Sequence, residues 1–281
     1  MTNGSPAVHD PATEQIYAGS RVSIRLNSST QVAELWLQRT DRHNAIDAEF
    51  VDQLDIAVSA LKHEARQARA LVIMASGPNF TVGGDMTHFY QHLDRLADEL
   101  SGMVGTFHDT MVTLAHLPLP VVCAVQGAVA GGGLGFLWAS DIVIAADDMR
   151  LVTAFSRLGV SGDGGSSWYL PRIVGLRRAL QLSLESPLIG ADEAFQYGLV
   201  TRLVSATELI EESRRTARKL ASGPTSSLGL QRSLIRRSVE TDLRGGMDAE
   251  LHAMRITGTT ADAREGMAAF VEQRPAVFCG R

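Results

Sequence analysis

The sequence predicts an α/β fold, and three observations carry the prediction. Apolar runs of strand length occur at residues 70–75 (ALVIMA), 121–125 (VVCAV) and, behind a leading Asp, 141–146 (DIVIAA). Helical spacing of apolar residues lies between them, and such runs read as parallel strands covered on both faces. Ahead of them, alternation over 21–26 and 32–37 predicts two adjacent strands joined by the turn Asn27-Ser28-Ser29-Thr30. Asp47 is placed to cap a helix in which Phe50, Leu54, Ala57, Val58 and Leu61 share a face. A long helical region spans about 86–117 and is stopped by Pro118 and Pro120. Residues 1–20 lack periodicity and read as a flexible tail, 21–205 as the α/β core, and 206–281 as a helical C-terminal region.

Composition narrows the function. The 281 residues carry 26 Lys and Arg against 31 Asp and Glu, a net charge of −5, which disfavours nucleic acid as a partner. No run approaches the ~18 apolar residues of a membrane span. The first residues have neither an apolar stretch nor a basic cluster, and the two cysteines, Cys123 and Cys279, lie in unrelated contexts. Together these features predict a reduced, cytoplasmic protein without membrane attachment.

Chemistry concentrates in two glycine-bearing turns. Residues 120–135 read as a strand, a tight turn and a helix opening on Gly131-Gly132-Gly133. Free N–H groups at such a helix start attract negative charge, and glycine lets a ligand reach them. A dinucleotide fingerprint fails because Trp138 holds the third glycine position, and no Lys-Ser/Thr follows as in a phosphate loop. The Gly-x-Ser-x-Gly elbow of serine hydrolases is absent. Tight packing of helix on strand explains the glycines equally well. A second turn, residues 79–85 (NFTVGGD), also follows a buried strand. Two such turns could aim one N–H each at a single carbonyl oxygen, forming an oxyanion hole.

The runs LQRTDRHNAI, NFTVGGDM, GGGLGFLWASDIVIAADDMRL, LGVSGDGGSSWYLPRIVG and AREGMAAFVEQRPAVF resemble the crotonase (enoyl-CoA hydratase/isomerase) superfamily. They occur in the family's order from about residue 21 to 278. The resemblance implies a spiral of ββα units with a helical C-terminal trimerisation region, binding an acyl-CoA thioester. The expected assembly is a homotrimer or a dimer of trimers. Coenzyme A is expected only as part of the substrate, with no permanently bound cofactor. The family's two oxyanion donors map onto the N–H groups of Gly84 and Gly132. Residues 39–46 match the strip along the adenine and phosphate end of coenzyme A, which makes Arg42, His43 and Ala45 candidate contacts. A frequent C-terminal lysine of the family is replaced by Gln273, leaving Arg274 as the candidate cation.

The resemblance also separates reactions. The two glutamates with which the family's hydratases activate water fall on Gly135 and Phe155, so hydration loses its usual acid and base. Asp163 falls where certain ring- and enoyl-CoA isomerases, and 4-chlorobenzoyl-CoA dehalogenase, carry a catalytic aspartate. One carboxylate suffices to move a proton between two carbons of an enolate. The competing reading makes Asp163 a cap for the helix near Gly165. His108 stands at the spacing of the dehalogenase's water-activating base, and Phe107 and Phe155 take the places of its pocket tryptophans. A half-buried core histidine is the simpler reading of His108. Double-bond isomerisation is the favoured activity. Hydration without the glutamate pair, dehalogenation through an aspartyl ester, and a catalytically silent acyl-CoA-binding homologue are the alternatives. His88 and His92 stand at i and i+4, but the sequence supplies no third ligand beside them, and no metal is expected.

Overall fold

A computed structural model of the chain describes residues 12–64 and 67–281. The first half runs β1 (Thr13–Ala18), β2 (Val22–Asn27), β3 (Val32–Leu37), α1 (Ala48–Glu64), β4 (Ala70–Ala75), α2 (Met86–Gln91), α3 (Leu96–Ala115) and β5 (Val121–Val125). Then follow β6 (Ala128–Ala130), α4 (Gly135–Ala139), β7 (Ile142–Ala146), β8 (Arg150–Val152), α5 (Phe155–Leu158), α6 (Ser166–Val174) and α7 (Leu176–Leu184). The chain closes with β9 (Ile189–Gly190), α8 (Ala191–Gln196), β10 (Arg202–Val204), α9 (Leu209–Ala221), α10 (Thr225–Arg237), α11 (Leu243–Thr257) and α12 (Ala261–Val271).

Seven strands form one sheet in the order β1-β2-β3-β4-β5-β7-β10, and β6, β8 and β9 form a second. From β3 onward each pair in the large sheet is parallel, as the continuous apolar runs predict. Leu71, Ile73 and Ala75 of β4 enter one core, while Ala70, Val72 and Met74 enter another on the opposite face. β5 divides in the same way, with Val121, Cys123 and Val125 on one side and Val122 and Ala124 on the other. The period of two along a strand therefore survives beneath an apparently uniform hydrophobic run. Each fully buried Leu or Ile among these contributes roughly 1.5–3 kcal/mol of transfer free energy.

Local signals match the elements they predict. Phe50 N–H donates to Asp47 Oδ1 at 2.8 Å, the cap that opens α1. Asn27 Oδ1 accepts from the amides of Ser29 (3.1 Å) and Thr30 (2.9 Å), closing the β2–β3 turn.

Two boundaries differ from the reading above. Residues 13–18, assigned to the flexible tail, form β1 and pair antiparallel with β2. None of its residues is buried and a register shift falls between Gln15 and Tyr17, which leaves the alternation of this edge strand faint. Residues 1–11 of the expected tail lie outside the described residues. The division at 205/206 is not a packing boundary, because Leu209, Ala217 and Ala221 of α9 bury into the second core. The helical span 86–117 is also bent, with a 3₁₀ turn over Leu93–Arg95 separating α2 from α3. Among the described residues, no helix is long and apolar enough to cross a membrane.

Candidate active site

The two glycine turns follow neighbouring parallel strands, β4 and β5, and they pair with each other. Thr81 N–H donates to Ala128 O and Ala130 N–H donates to Thr81 O, each at 3.1 Å, in an isolated parallel bridge. The contact leaves no room for side chains. A Cβ on Gly83, at φ +83°, would lie 2.8 Å from Ala130 O, and one on Gly133 would lie 2.2 Å from Thr81 Cγ2. Glycine is required at 83 by close approach of two backbones and at 133 by the buried Thr81 side chain packed against it.

The same contacts orient Gly84. Ile46 N–H donates to Gly83 O and Asp85 N–H to Ile46 O, both at 2.8 Å. Gly84 is the central residue of that parallel bridge, so its own N–H is directed away from Ile46. Gly132 is the second residue of the 3₁₀ turn Gly131–Leu134, where an N–H has no partner within the turn. Both glycines line one cavity of about 620 Å³. Its remaining wall is mostly apolar, with Met86, Phe89, Leu100, Val104, Phe155 and Leu158 among the lining residues.

Asp163 lines this cavity and is the one carboxylate to do so among the described residues. A Cβ built on Gly132 would lie 2.7 Å from Asp163 Oδ1, so the carboxylate rests directly over the Gly132 backbone. Oδ1 is shielded from solvent and accepts no hydrogen bond. Burial pushes the Asp163 carboxyl above the usual carboxylate range, and the nearby His108 only partly offsets that. The helix-cap reading fails on geometry. Gly165 occupies the cap position of α6 without a side-chain bond, and it is the backbone oxygen of Asp163 that accepts from Ser166 N–H (3.1 Å).

His108 also reaches the cavity, but its Nε2 is engaged: Gly164 N–H donates to it at 3.0 Å. That bond places the ring proton on Nδ1 and ties α3 to the Asp163 loop. Phe155 forms part of the cavity wall. Phe107, expected beside it, does not. It is 3% exposed and packs edge-on against Phe136 at 5.8 Å. Successive residues of a helix point about 100° apart, so turning His108 toward the cavity turns Phe107 into the core. At the first of the two missing glutamate positions, a Cβ on Gly135 would lie 3.0 Å from Gly164 O. A side chain there would press on the Gly164 backbone.

The candidate coenzyme A contacts lie outside the cavity wall. Arg42 and His43 are exposed on the loop before α1, and Ala45 is buried. His43 Nδ1 pairs with the Asn79 side-chain amide at 3.0 Å. Arg274 lies beyond α12 and is saturated by acids, bonding Glu265 at 2.6 and 2.9 Å and Glu272 at 2.6 Å. The hydrogen bond from Arg274 pulls the Glu265 carboxyl down to about 2.

Several positioning residues carry no sequence signal. Arg39 joins Asp47 (3.2 Å) to Asp85 (2.8 Å), and also donates to Ala45 O (2.8 Å). Asp85 in turn caps α2 through Thr87 and His88 N–H groups. Burial opposes its ionisation, but Arg39 and the two amides outweigh that and hold its carboxyl low. Thr81 Oγ1 donates to Asn44 O at 2.6 Å and accepts from Gly83 N–H at 3.2 Å. A motif containing Thr or Asp discloses none of these partners. The expectation that His88 and His92 lack a third ligand is also corrected, because the bend between α2 and α3 brings Glu99 to them.

Sheet, paired glycine turns and a largely apolar cavity define a crotonase-type α/β protein. The family described as enoyl-CoA hydratase/isomerase matches residues 27–281, and the chain belongs to it. The 1,2-epoxyphenylacetyl-CoA isomerase of Escherichia coli (strain K12) is 34% identical over 89% of this chain and 95% of its own length. 4-Chlorobenzoyl coenzyme A dehalogenase-2 of an Arthrobacter species is 29% identical over 81% and 83%. An enoyl-CoA hydratase/isomerase-type crystal structure from Mycobacterium abscessus superposes with TM-score 0.88 at 30% identity, covering 92% of this chain and all of that one.

Proposed function

We propose that the protein isomerises a double bond in an unsaturated acyl-CoA. The observation that carries this reading is the lone Asp163 carboxylate seated over Gly132 in an apolar cavity, its Oδ1 accepting no hydrogen bond. Gly84 and Gly132 N–H groups bind the thioester oxygen, which stabilises the enolate formed when a proton leaves the adjacent carbon. Asp163 accepts that proton and returns it two carbons along, so no water is consumed and no second acid is needed. Burial makes Asp163 a stronger base than a solvated carboxylate. Coenzyme A itself would extend past Arg42 and His43, and three chains would assemble through the C-terminal helices.

Hydration is disfavoured by the residues at the two glutamate positions, a glycine and a phenylalanine, neither of which carries an acid. Dehalogenation needs His108 as a free base, whereas Nε2 already accepts a backbone N–H. The test is Asp163→Asn. Double-bond migration in a panel of enoyl-CoA thioesters should fall by about 10²–10⁴-fold, while binding of a saturated acyl-CoA persists. Undiminished turnover rejects the assignment. Incorporation of ¹⁸O from labelled water, or an aspartyl ester caught by mass spectrometry, would replace it with hydration or dehalogenation.

A further inference from the structure

We infer that His88, His92 and Glu99 form a binding site for a divalent transition-metal ion of the zinc class where α2 meets α3. The candidate ligand atoms, one from each residue, all lie within 4.8 Å of one another. His88 Nε2 is 3.0 Å from Glu99 Oε2, and the two imidazole rings lie 4.6 Å apart, tilted by 39°.

The surroundings suit ligation. His92 Nδ1 donates to the backbone oxygen of His88 at 2.8 Å, which leaves the Nε2 lone pair available. Fixing a histidine tautomer through its other ring nitrogen is the usual support of a metal-bound imidazole. Arg95 occupies Glu99 Oε1 at 3.1 Å, so the carboxylate offers Oε2 alone. All three residues are half-buried, which leaves an approach for the ion and for a water completing four-coordination. Two imidazoles with one carboxylate favour zinc, cobalt, nickel or copper over the oxygen-seeking magnesium and calcium.

Placement gives the site a consequence. The α2–α3 corner contributes Met86, Phe89, Ala97 and Leu100 to the cavity wall. Its two helices are joined by a 3₁₀ turn at the C-cap of α2. An ion held by His88 and His92 on one arm and Glu99 on the other would pin the two arms together. The site shares no residue with the proposed acid/base pathway, so it stands whether or not isomerisation is the activity.

The experiment titrates the full chain with ZnCl₂ by calorimetry and with CoCl₂ by visible absorption. One ion per chain should bind, with cobalt absorption typical of four-coordinate nitrogen and oxygen ligation. His88→Gln, His92→Gln and Glu99→Gln should each weaken binding at least about tenfold, and His116→Gln should not. Zinc should also slow amide exchange over residues 86–101 in the wild type alone. Absence of binding overturns the proposal. So does binding that survives both His92→Gln and Glu99→Gln, since it would place the ion elsewhere.

Discussion

A carboxylate oxygen shielded from solvent without a hydrogen-bond partner makes ionisation costly, and Asp163 Oδ1 is such an atom. Its pH dependence follows from the direction of the shift. With the folded-state pKa raised above the unfolded ~3.9, folding favours the protonated acid. That stability is complete below the unfolded pKa and is lost as pH rises through the folded one. Above the folded pKa the ionised side chain therefore destabilises the fold. Asp163→Asn should raise Tm at pH 7, and the gain should shrink as pH is lowered toward 4, as measured by thermal scans across that range. A lower Tm for the variant at pH 7 would show a stabilising contact that the geometry lacks. The proton-accepting role sets a matching limit, since kcat/KM should fall on the acid side at a pH above the ordinary Asp value. His108 belongs to the same scale. Replacing it by Ala strands the Gly164 N–H, and urea unfolding should register a loss of about 1–3 kcal/mol.

At the scale of elements, what was readable in the chain follows how each signal arises. β4, β5 and β7 announce themselves because a strand buried on both faces must be apolar throughout. The two glycine turns are visible because close backbone approach excludes every other residue. The direction of Phe107 and the reach of Glu99 toward His88 were not legible, because each depends on a helix's rotation or on the bend between α2 and α3. Arg39 is invisible for a related reason, its partners Asp47 and Asp85 being brought together only by the Ile46–Gly84 bridge. The turn after β5 offers a sharp test of the close-approach argument. Gly127 sits at φ +54°, and a Cβ there would lie 2.0 Å from Pro78 O. Gly127→Ala should destabilise the protein by more than about 1 kcal/mol and lower activity in parallel, because the displaced segment carries the 79–85 turn. Urea denaturation measures the first and turnover the second. Wild-type stability in that variant would mean that the two turns are not held in contact.

The whole molecule presents more apolar surface at its C-terminal end than an isolated chain would be expected to leave in water. On α11, Leu243, Met247, Leu251 and Met254 are all exposed, at spacings of four, four and three residues that place them along one side of the helix. Phe270 and Val271, at the end of α12, are 85% and 80% exposed. Few of these side chains serve the chain's own core, in contrast to α9, which covers the sheet. An apolar stripe of this kind is stabilised by burial against a partner, and a rotationally symmetric trimer would bury all three copies of it at once. Light scattering coupled to size exclusion should therefore report about three times the 30.2 kDa chain mass, or twice that if trimers pair. Met247→Glu with Leu251→Glu would place two charges in each buried stripe, and the mass should drop toward that of one chain. The circular-dichroism spectrum should be retained, because neither side chain supports the fold of its own subunit. A wild-type mass of one chain at micromolar concentration would refute the trimer, and an unchanged mass in the double variant would move the interface away from α11.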